Sequence, residues 1–348
     1  MGLQFAGALI AALLLSHTSD ALAAAAFKIV TASERGTYFV IGKDLAKFVA
    51  PAADIDLEVV PTNGSAANIS LLRFEPGVKL AVVQADVYQA FIDRRQGPNA
   101  EARRLIEPLR VVLPLYDTEI HYIVRADSKW NYIHEIKDAK INGGLVGSGA
   151  AFITHTLYRM MFGSPIPEAS ASYHSNEEAL VKLISEKSVD VVVVAAGQPA
   201  PLIANMKPEA QKYIKLLKFD PEHPSSKLPL TTYAAYTVRA TSYPNLLTQN
   251  FTTIAVGAYL VTYNYQTSDT VNYLAAFGRS LCENFSKLQA EGHPKWREVQ
   301  LKLPDLNPGW TYFAPTRNAI RACLAKSQGR PAPMKTCSQE ERILGLCK

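Results

Sequence analysis

Apolar and polar positions along the chain fall into two alternating rhythms. "FKIVTAS" from Phe27 reads as a strand, and "GTYFVIGKDLAKFVA" reads as a helix whose Tyr38, Ile41, Leu45 and Phe48 share one face. "DIDLEVVPT" is a strand, followed by helix spacing from Ser65 through Ile69, Leu71 and Leu72. "VKLAVVQ" is a third strand, "ADVYQAFIDRR" a helix, and "LRVVLPLY" closes the series. Strands alternating with helices predict right-handed crossovers and a parallel core to the sheet.

At "TEIHYIVRADSKW", residues 118 to 130, the texture changes to a long β-rich run. A second series then begins: the strand within "AKINGGLVGSG", the helix "AAFITHTLYRMMF", the helix "NEEALVKLISEK" with Asn176 as its N-cap, and the strand "VDVVVVAAG". "IKLLKFD" and "LTTYAAYTV" read as strands around the Pro-rich joint "DPEHPSSKLP". The strand "TTIAVGAYLVTY" and one long amphipathic helix, "DTVNYLAAFGRSLCENFSKL", follow. The order predicts an α/β protein of two lobes, each a mixed sheet flanked by helices, joined by two extended crossings. The lobes are expected at 27–117 plus 230–303 and at 118–229, with 304–348 a loop-rich extension packing on the first.

Composition narrows the class. The chain is 48% hydrophobic and 19% charged, an ordinary globular balance and enough for two domains. "FAGALIAALLL" is too short to span a bilayer and is followed by the small residues Ala21 to Ala23, so residues 1–23 read as a signal peptide, although no Lys or Arg precedes the run. The alternative is a buried N-terminal helix. Export places the mature chain in the periplasm. Losing Asp20 leaves 30 of the 31 acidic residues against 36 basic ones, a net charge of +6. The densest basic cluster, Arg94, Arg95, Arg103 and Arg104, reads as a solvated face, and no basic stripe interleaved with aromatics points to nucleic acid.

The four cysteines, Cys282, Cys323, Cys337 and Cys347, all lie in the last 67 residues. No pair has Cys-x-x-Cys spacing and no His flanks them at ligand distance, so no metal site is expected. In an exported chain they read as two disulfides, with three connectivities open; 282–323 and 337–347 are favoured.

Four small-residue turns carry the candidate chemistry. Each ends a strand and opens a helix: "ERGTYF" with Arg35, Gly36, Thr37 and Tyr38; "TNGSAAN" with Asn63, Gly64 and Ser65; "LVGSGAAF" with Gly147, Ser148 and Gly149; and "VVAAGQPAP" with Gly197, Gln198 and Pro199, the proline suited to a first helical turn. In open α/β sheets ligands bind beyond the carboxyl ends of the strands. Helix starts there present N–H groups and about half a positive charge each, which suits a small anion. At each turn the alternative is an ordinary cap, and Ser65 either caps its helix or serves a ligand. Tyr38 reads equally as core, Gln84 either faces the cleft or does not, Arg35 has Glu34 beside it, and Trp130 and Trp310 read as packing residues. Enzyme signatures are weak. "NGGLVGSG" lacks the P-loop lysine, "VGSGA" is not a nucleophile elbow, and His155 is two turns from Ser148. No catalytic residue, metal or cofactor is expected. A secreted hydrolase using Ser148 is the reading from a different class.

At these turns the chain resembles the TAXI solute receptors, the periplasmic binding subunits of one class of tripartite ATP-independent (TRAP) transporters. The resemblance runs from about Ile29 to Leu202 and rests on "GTYFVIGKDLA", "TNGSAANISLLR", "LAVVQADVYQAF", "HYIVRADS", "VGSGA" and "AGQPAPLI" in that order. It implies a two-lobed periplasmic-binding-protein fold of the second type. It also implies closure on a small anionic solute, often a dicarboxylate or acidic amino acid, and delivery to an ion-gradient-driven permease. By position it implies ligand contacts from Thr37 and Tyr38, Asn63 to Ser65, Gln84, Gly147 to Gly149, and Gly197 to Pro199. Arg35 stands where such receptors commonly carry Gly, Ala150 where they often carry a hydroxyl, and the Cys-bearing tail departs from their pattern. The expectation is a monomeric or weakly dimeric receptor, with an ABC-importer binding protein or a sensor partner as the alternative.

Overall fold

The computed structural model describes residues 24–86, 104–306 and 309–328. The signal-peptide segment 1–23, most of the helix expected at 85–95, Arg94, Arg95 and Arg103, and the 337–347 disulfide lie outside the described residues.

The strands are β1 (Ala25–Val30), β2 (Ile55–Val60), β3 (Val78–Gln84), β4 (Leu109–Arg125), β5 (Ile141–Asn142), β6 (Ala171–Ser172), β7 (Val191–Ala195), β8 (Ile214–Leu216), β9 (Ala234–Val238) and β10 (Phe251–Tyr263). The helices are α1 (Thr37–Phe48), α2 (Ser65–Phe74), α3 (Gly149–Phe162), α4 (Asn176–Val181), α5 (Pro201–Ala204), α6 (Pro208–Gln211), α7 (Ser268–Glu283), α8 (Phe285–Glu291) and α9 (Ala314–Gln328). The sheet order is β2-β1-β3-β10-β4-β7-β5-β6, with β8 on β4 and β9 on β10. β1 runs parallel to β2 and β3, and β5 parallel to β6 and β7, while β10 and β4 pair antiparallel along their length.

The two halves repeat one plan. In the first half β10 is the antiparallel strand between β3 and β4. In the second, β4 itself plays that part between β7 and β8. The sequence predicts two elements at 109–130, yet β4 is one 17-residue strand. Its apolar residues continue through Pro114 because the strand passes from pairing with β10 in its first part to pairing with β7 and β8 in its second, and it is buried at nearly every position, with few solvent-facing residues to mark a boundary.

Each half of the sheet is covered on both faces. Ile29, Leu80, Val82 and Leu260 face α1 and α7, while Val30, Ala81, Val83 and Val261 face α2. Ile120, Tyr122, Val191 and Val193 meet Ile153 and Leu157 of α3, while Ile123, Val192 and Val194 meet Ala179 and Ile203. Adjacent residues serve opposite faces, which is the two-residue period of a strand. Trp310 lies in the first half's core and Trp130 packs against the second's, as expected.

Several expectations are corrected. The segment 230–256, expected with the first lobe, packs with the second, through Tyr233, Val238, Tyr243 and Ile254. The tail holds a 15-residue helix, α9, where loops are expected. Phe313, just before it, and Ile320 reach the first lobe's core, and Cys323 is bonded to Cys282 of α7, the favoured pairing. The long helix breaks at Asn284 into α7 and α8. Ser175, not Asn176, caps α4, accepting from the Glu178 N–H at 3.3 Å, and the helix passes into a π-turn at Lys182–Glu186. Pro199 precedes α5, which starts at Pro201 behind its N-cap Ala200.

Candidate functional site

Three of the four turns converge. A cavity of about 120 Å³ lies between the two halves, lined by Arg35, Gly36, Thr37 and Tyr38, by Asn63, Gly64 and Ser65, by Gln84, and by Ser148, Gly149 and Ala150. Ser33, Thr62, Ser175, Asn176 and Glu177 complete its polar wall. At roughly 10–15 Å³ per water-sized probe, the space suits one small molecule. It lies at the carboxyl ends of β1, β2, β3 and β7, because each strand there hands over to a turn and a helix.

Three helices longer than eight residues start at this cavity: α1, α2 and α3. No side chain caps α1 or α2, whose N-cap positions are Gly36 and Gly64. Apart from the Phe39 N–H, which donates to the Gly36 carbonyl at 3.2 Å, their first-turn N–H groups have no capping side chain to accept from them. Gly64 has φ +115°, a conformation L side chains rarely adopt, so glycine is needed for the turn. Ser148 caps α3, accepting from the Ala151 N–H at 3.0 Å.

The first turns are braced from beneath. Asn68 is fully buried and donates to the carbonyls of Thr31 (2.5 Å) and Val82 (2.7 Å), while accepting from Thr62 Oγ1 at 2.6 Å. Thr62 Oγ1 also accepts from the Gly64 N–H at 3.0 Å. Ser65 neither caps its helix nor points at water. It is the first residue of α2, and its Oγ accepts from the Gln84 N–H at 3.1 Å, fastening the helix start to the end of β3.

The cavity floor is made by residues that serve both core and cleft. Tyr38 lines it and is 6% exposed; its hydroxyl shares a 3.1 Å hydrogen bond with Thr118, and its ring packs edge-on against Tyr116. Burial pushes the Tyr38 phenol well above its ordinary range, so it stays neutral. Gln84 is 3% exposed, and its Oε1 finds no partner among the described residues. That oxygen lies against the Gly149 backbone, where a Cβ would come within 1.9 Å of it.

Among the described residues, three of the contacts between the lobes lie at the cleft. Thr37 Oγ1 donates to the Gly197 carbonyl at 2.9 Å, Gln84 and Ser65 meet Gly149, and Arg35 pairs with Glu177 at 3.5 Å. Arg35, read as an extra cation, is thus engaged from the opposite lobe, and not by Glu34.

Four expected ligand residues do not line the cavity. Gly147 sits just outside with φ +80°, setting the turn that delivers Ser148. Gly197 packs under the crossing strands, where a Cβ would meet Lys295 at 2.8 Å and Tyr116 at 2.9 Å. Gln198 is fully buried: its N–H donates to Glu119 at 3.1 Å, its amide donates to Glu119 and to the Thr237 carbonyl, and its oxygen accepts from the Arg239 N–H and Ser242. Pro199 follows it through a cis peptide. This turn is a structural joint because its polar groups are spent internally.

That joint belongs to a buried ionic network at the crossing, which the sequence did not reveal. Lys295 and Glu119 are fully buried and pair at 2.6 Å, and Lys295 also pairs with Glu298, which in turn pairs with Arg239 and accepts from Tyr236. Burial pushes the Glu119 carboxyl up against the opposing pull of Lys295. Burial also works to raise Glu298, but bonds from Lys295, Arg239 and Tyr236 overcome it and hold it below the usual range. The partners lie in sequence at 119, 239, 295 and 298, so no local spacing could have paired them.

His155 is hydrogen-bonded to Tyr173 at 2.7 Å, and Ser148 Oγ is occupied as a cap, so the two do not form a base–nucleophile pair. Among the described residues no three His, Cys, Asp or Glu side chains are grouped to hold a metal ion, and no helix is long and apolar enough to cross a membrane.

Two α/β lobes with this strand order, joined by paired crossing strands over a polar cleft, define a two-lobed periplasmic-binding-protein fold. The sequence matches the NMT1-like family over residues 29–306, well over half of the chain, and the protein belongs to that family. Among solved structures, the chain is similar to a binding protein component of an ABC phosphonate transporter from Pseudomonas aeruginosa. Identity is 14%, coverage is 92% of this chain and 93% of that one, and the TM-score is 0.48. It is also similar to the arginine-, lysine-, histidine-binding protein ArtJ from Geobacillus stearothermophilus, with 12% identity, 81% and 99% coverage, and a TM-score of 0.45.

Proposed function

We propose that this protein is a solute receptor that binds a small organic anion between its lobes and presents it to a membrane permease. The observation that carries the reading is the convergence of the α1, α2 and α3 N-termini on one cavity, two of them without a side-chain cap. Helix starts stabilise a negative group by roughly 0.3–1 kcal/mol each at exposed sites and up to about 2 where partly buried. Three together favour an anion over a cation. The hinge lies where β4 and β10 cross, and closure brings Gly149 onto Gln84 and Ser65.

The finer reading comes from the family resemblance: a TAXI-type receptor, exported to the periplasm, serving a TRAP permease, with dicarboxylates and acidic amino acids among its candidate solutes. Service to an ABC importer, or to a membrane sensor, uses the same cleft. The receptor performs no chemistry on its solute.

Titration calorimetry on protein that has been unfolded and refolded tests this, against monocarboxylates, dicarboxylates, acidic amino acids and sulfonates, with lysine and arginine as cationic controls. The expected result is one-to-one binding of one anion class, recovered unmodified. Binding of a cation alone, or recovery of an altered compound, would overturn it.

A further inference from the structure

Resting on that reading, the geometry points to a two-chambered site whose solute carries its charge at one end only, with an apolar aliphatic or aromatic remainder extending past Arg35 and Glu177.

The inner chamber is the 120 Å³ cavity at the helix starts. A second cavity of about 500 Å³ adjoins it at the mouth of the cleft, and Arg35, Glu177 and Leu202 line both. The outer floor is formed by Leu180 at the end of α4 and by Pro201, Leu202 and Met206 on and after α5, with the exposed Asn205 among them. Leu180, Leu202 and Met206 are only partly buried, with one side on the second lobe's core and the other left to this chamber.

Two observations decide the chemistry. The inner chamber holds helix starts, hydroxyls and an amide, which suit a single anionic head, and the Arg35–Glu177 pair stands where it adjoins the outer chamber. A longer solute must therefore pass that pair. Beyond it, a second carboxylate could reach Arg35 only by taking it from Glu177 and leaving that carboxylate unpaired in its place, and the floor offers it Asn205 among the hydrocarbon of Leu180, Leu202 and Met206. Desolvating a charge there costs more than placing methylenes, which gain about 0.8 kcal/mol each when buried. The pair itself is exposed on both sides, 68% and 42%, so it is a weak gate that a passing chain displaces at little cost.

The test is calorimetric titration of the purified protein with butanoate, hexanoate, octanoate and octanedioate. The expected result is about fifteenfold tighter binding for each two methylenes added to the monoacid, as ~0.8 kcal/mol per buried CH₂ implies, and octanedioate well behind octanoate. Leu180→Asn and Met206→Ser each should lower the octanoate-to-butanoate affinity ratio at least fivefold, with circular dichroism melting as the check on folding. Phe74→Ser, which removes an exposed apolar residue on the first lobe away from the cleft, should leave the ratio unchanged and so excludes adsorption to surface patches. Equal affinities across the monoacids, or a ratio unmoved in both variants, overturns the outer chamber while leaving the receptor. Absence of binding by any carboxylate or sulfonate overturns the anion reading as well.

Discussion

His121 shows how one buried side chain ties stability to pH. It sits on β4, 2% exposed, with its ring edge-on to Tyr243 and its Nε2 at 2.9 Å from the Tyr243 hydroxyl. Burial pushes its pKa down to about 4. A base that holds its proton less tightly when folded than its unfolded value near 6.5 makes the unfolded state the better proton binder below that pH. Stability is therefore full above about pH 6.5 and declines toward pH 4. Between pH 6.5 and 5 this one residue should account for about 2 kcal/mol. Urea unfolding of wild type and His121→Gln at both pH values checks it. Equal pH dependence in the two proteins would show that the imidazole is not the titrating group. Ser65 teaches the complementary lesson. Sequence reading offered cap or ligand contact, and the structure adds a third use, holding the end of β3, because that strand end is 19 residues away in sequence but adjacent in space.

At the scale of elements, the tail helix α9 is held by hydrophobic contact and a covalent tie. Ile320 is fully buried in the first lobe's core, and Cys282–Cys323 closes a loop of sequence separation 41. Loop-closure entropy for that length predicts about 4 kcal/mol. Cys282→Ser with Cys323→Ser should lower the stability by up to that amount while leaving solute affinity within about twofold, since neither residue approaches the cleft. An affinity loss much larger than this would mean that α9 positions the first lobe's half of the site. Amphipathic spacing did not announce α9, whose apolar positions are sparse; its helix is legible only once Phe313 and Ile320 are seen entering a core built by α1 and α7.

For the whole molecule the proposed function makes the approach of the two lobes the governing event. Gly149 is a point of close approach: a Cβ there would strike Gln84 Oε1 and approach Ser65 Oγ at 3.3 Å. Gly149→Val should fold normally, because the position is the first residue of a helix and its own lobe leaves it open. Its solute affinity should fall at least tenfold, since binding draws on closure. Small-angle scattering with saturating solute should show wild type compacting and the variant staying extended; a variant that compacts and binds like wild type would remove Gly149 from the closing contact. At the crossing, where the proposed hinge lies, Lys295 and Glu119 form a buried pair of the kind in which removing one partner costs about 3–5 kcal/mol by stranding the other.

Periodicity, turn residues and small-residue patterning were enough to determine two α/β lobes, most of the helices and strands, and the three turns that line the cavity, because these follow from interactions within a few residues of each other. Gly36 to Tyr38, Asn63 to Ser65 and Ser148–Gly149 were legible for that reason. Only the tertiary structure decided that the Gly197–Pro199 turn is a buried joint, that Arg35 faces Glu177, that 230–256 packs with the second lobe, and that Lys295 completes a network at the hinge. Those outcomes depend on which groups long-range packing buries together, and burial sets whether a polar residue is spent on the fold or left for a ligand.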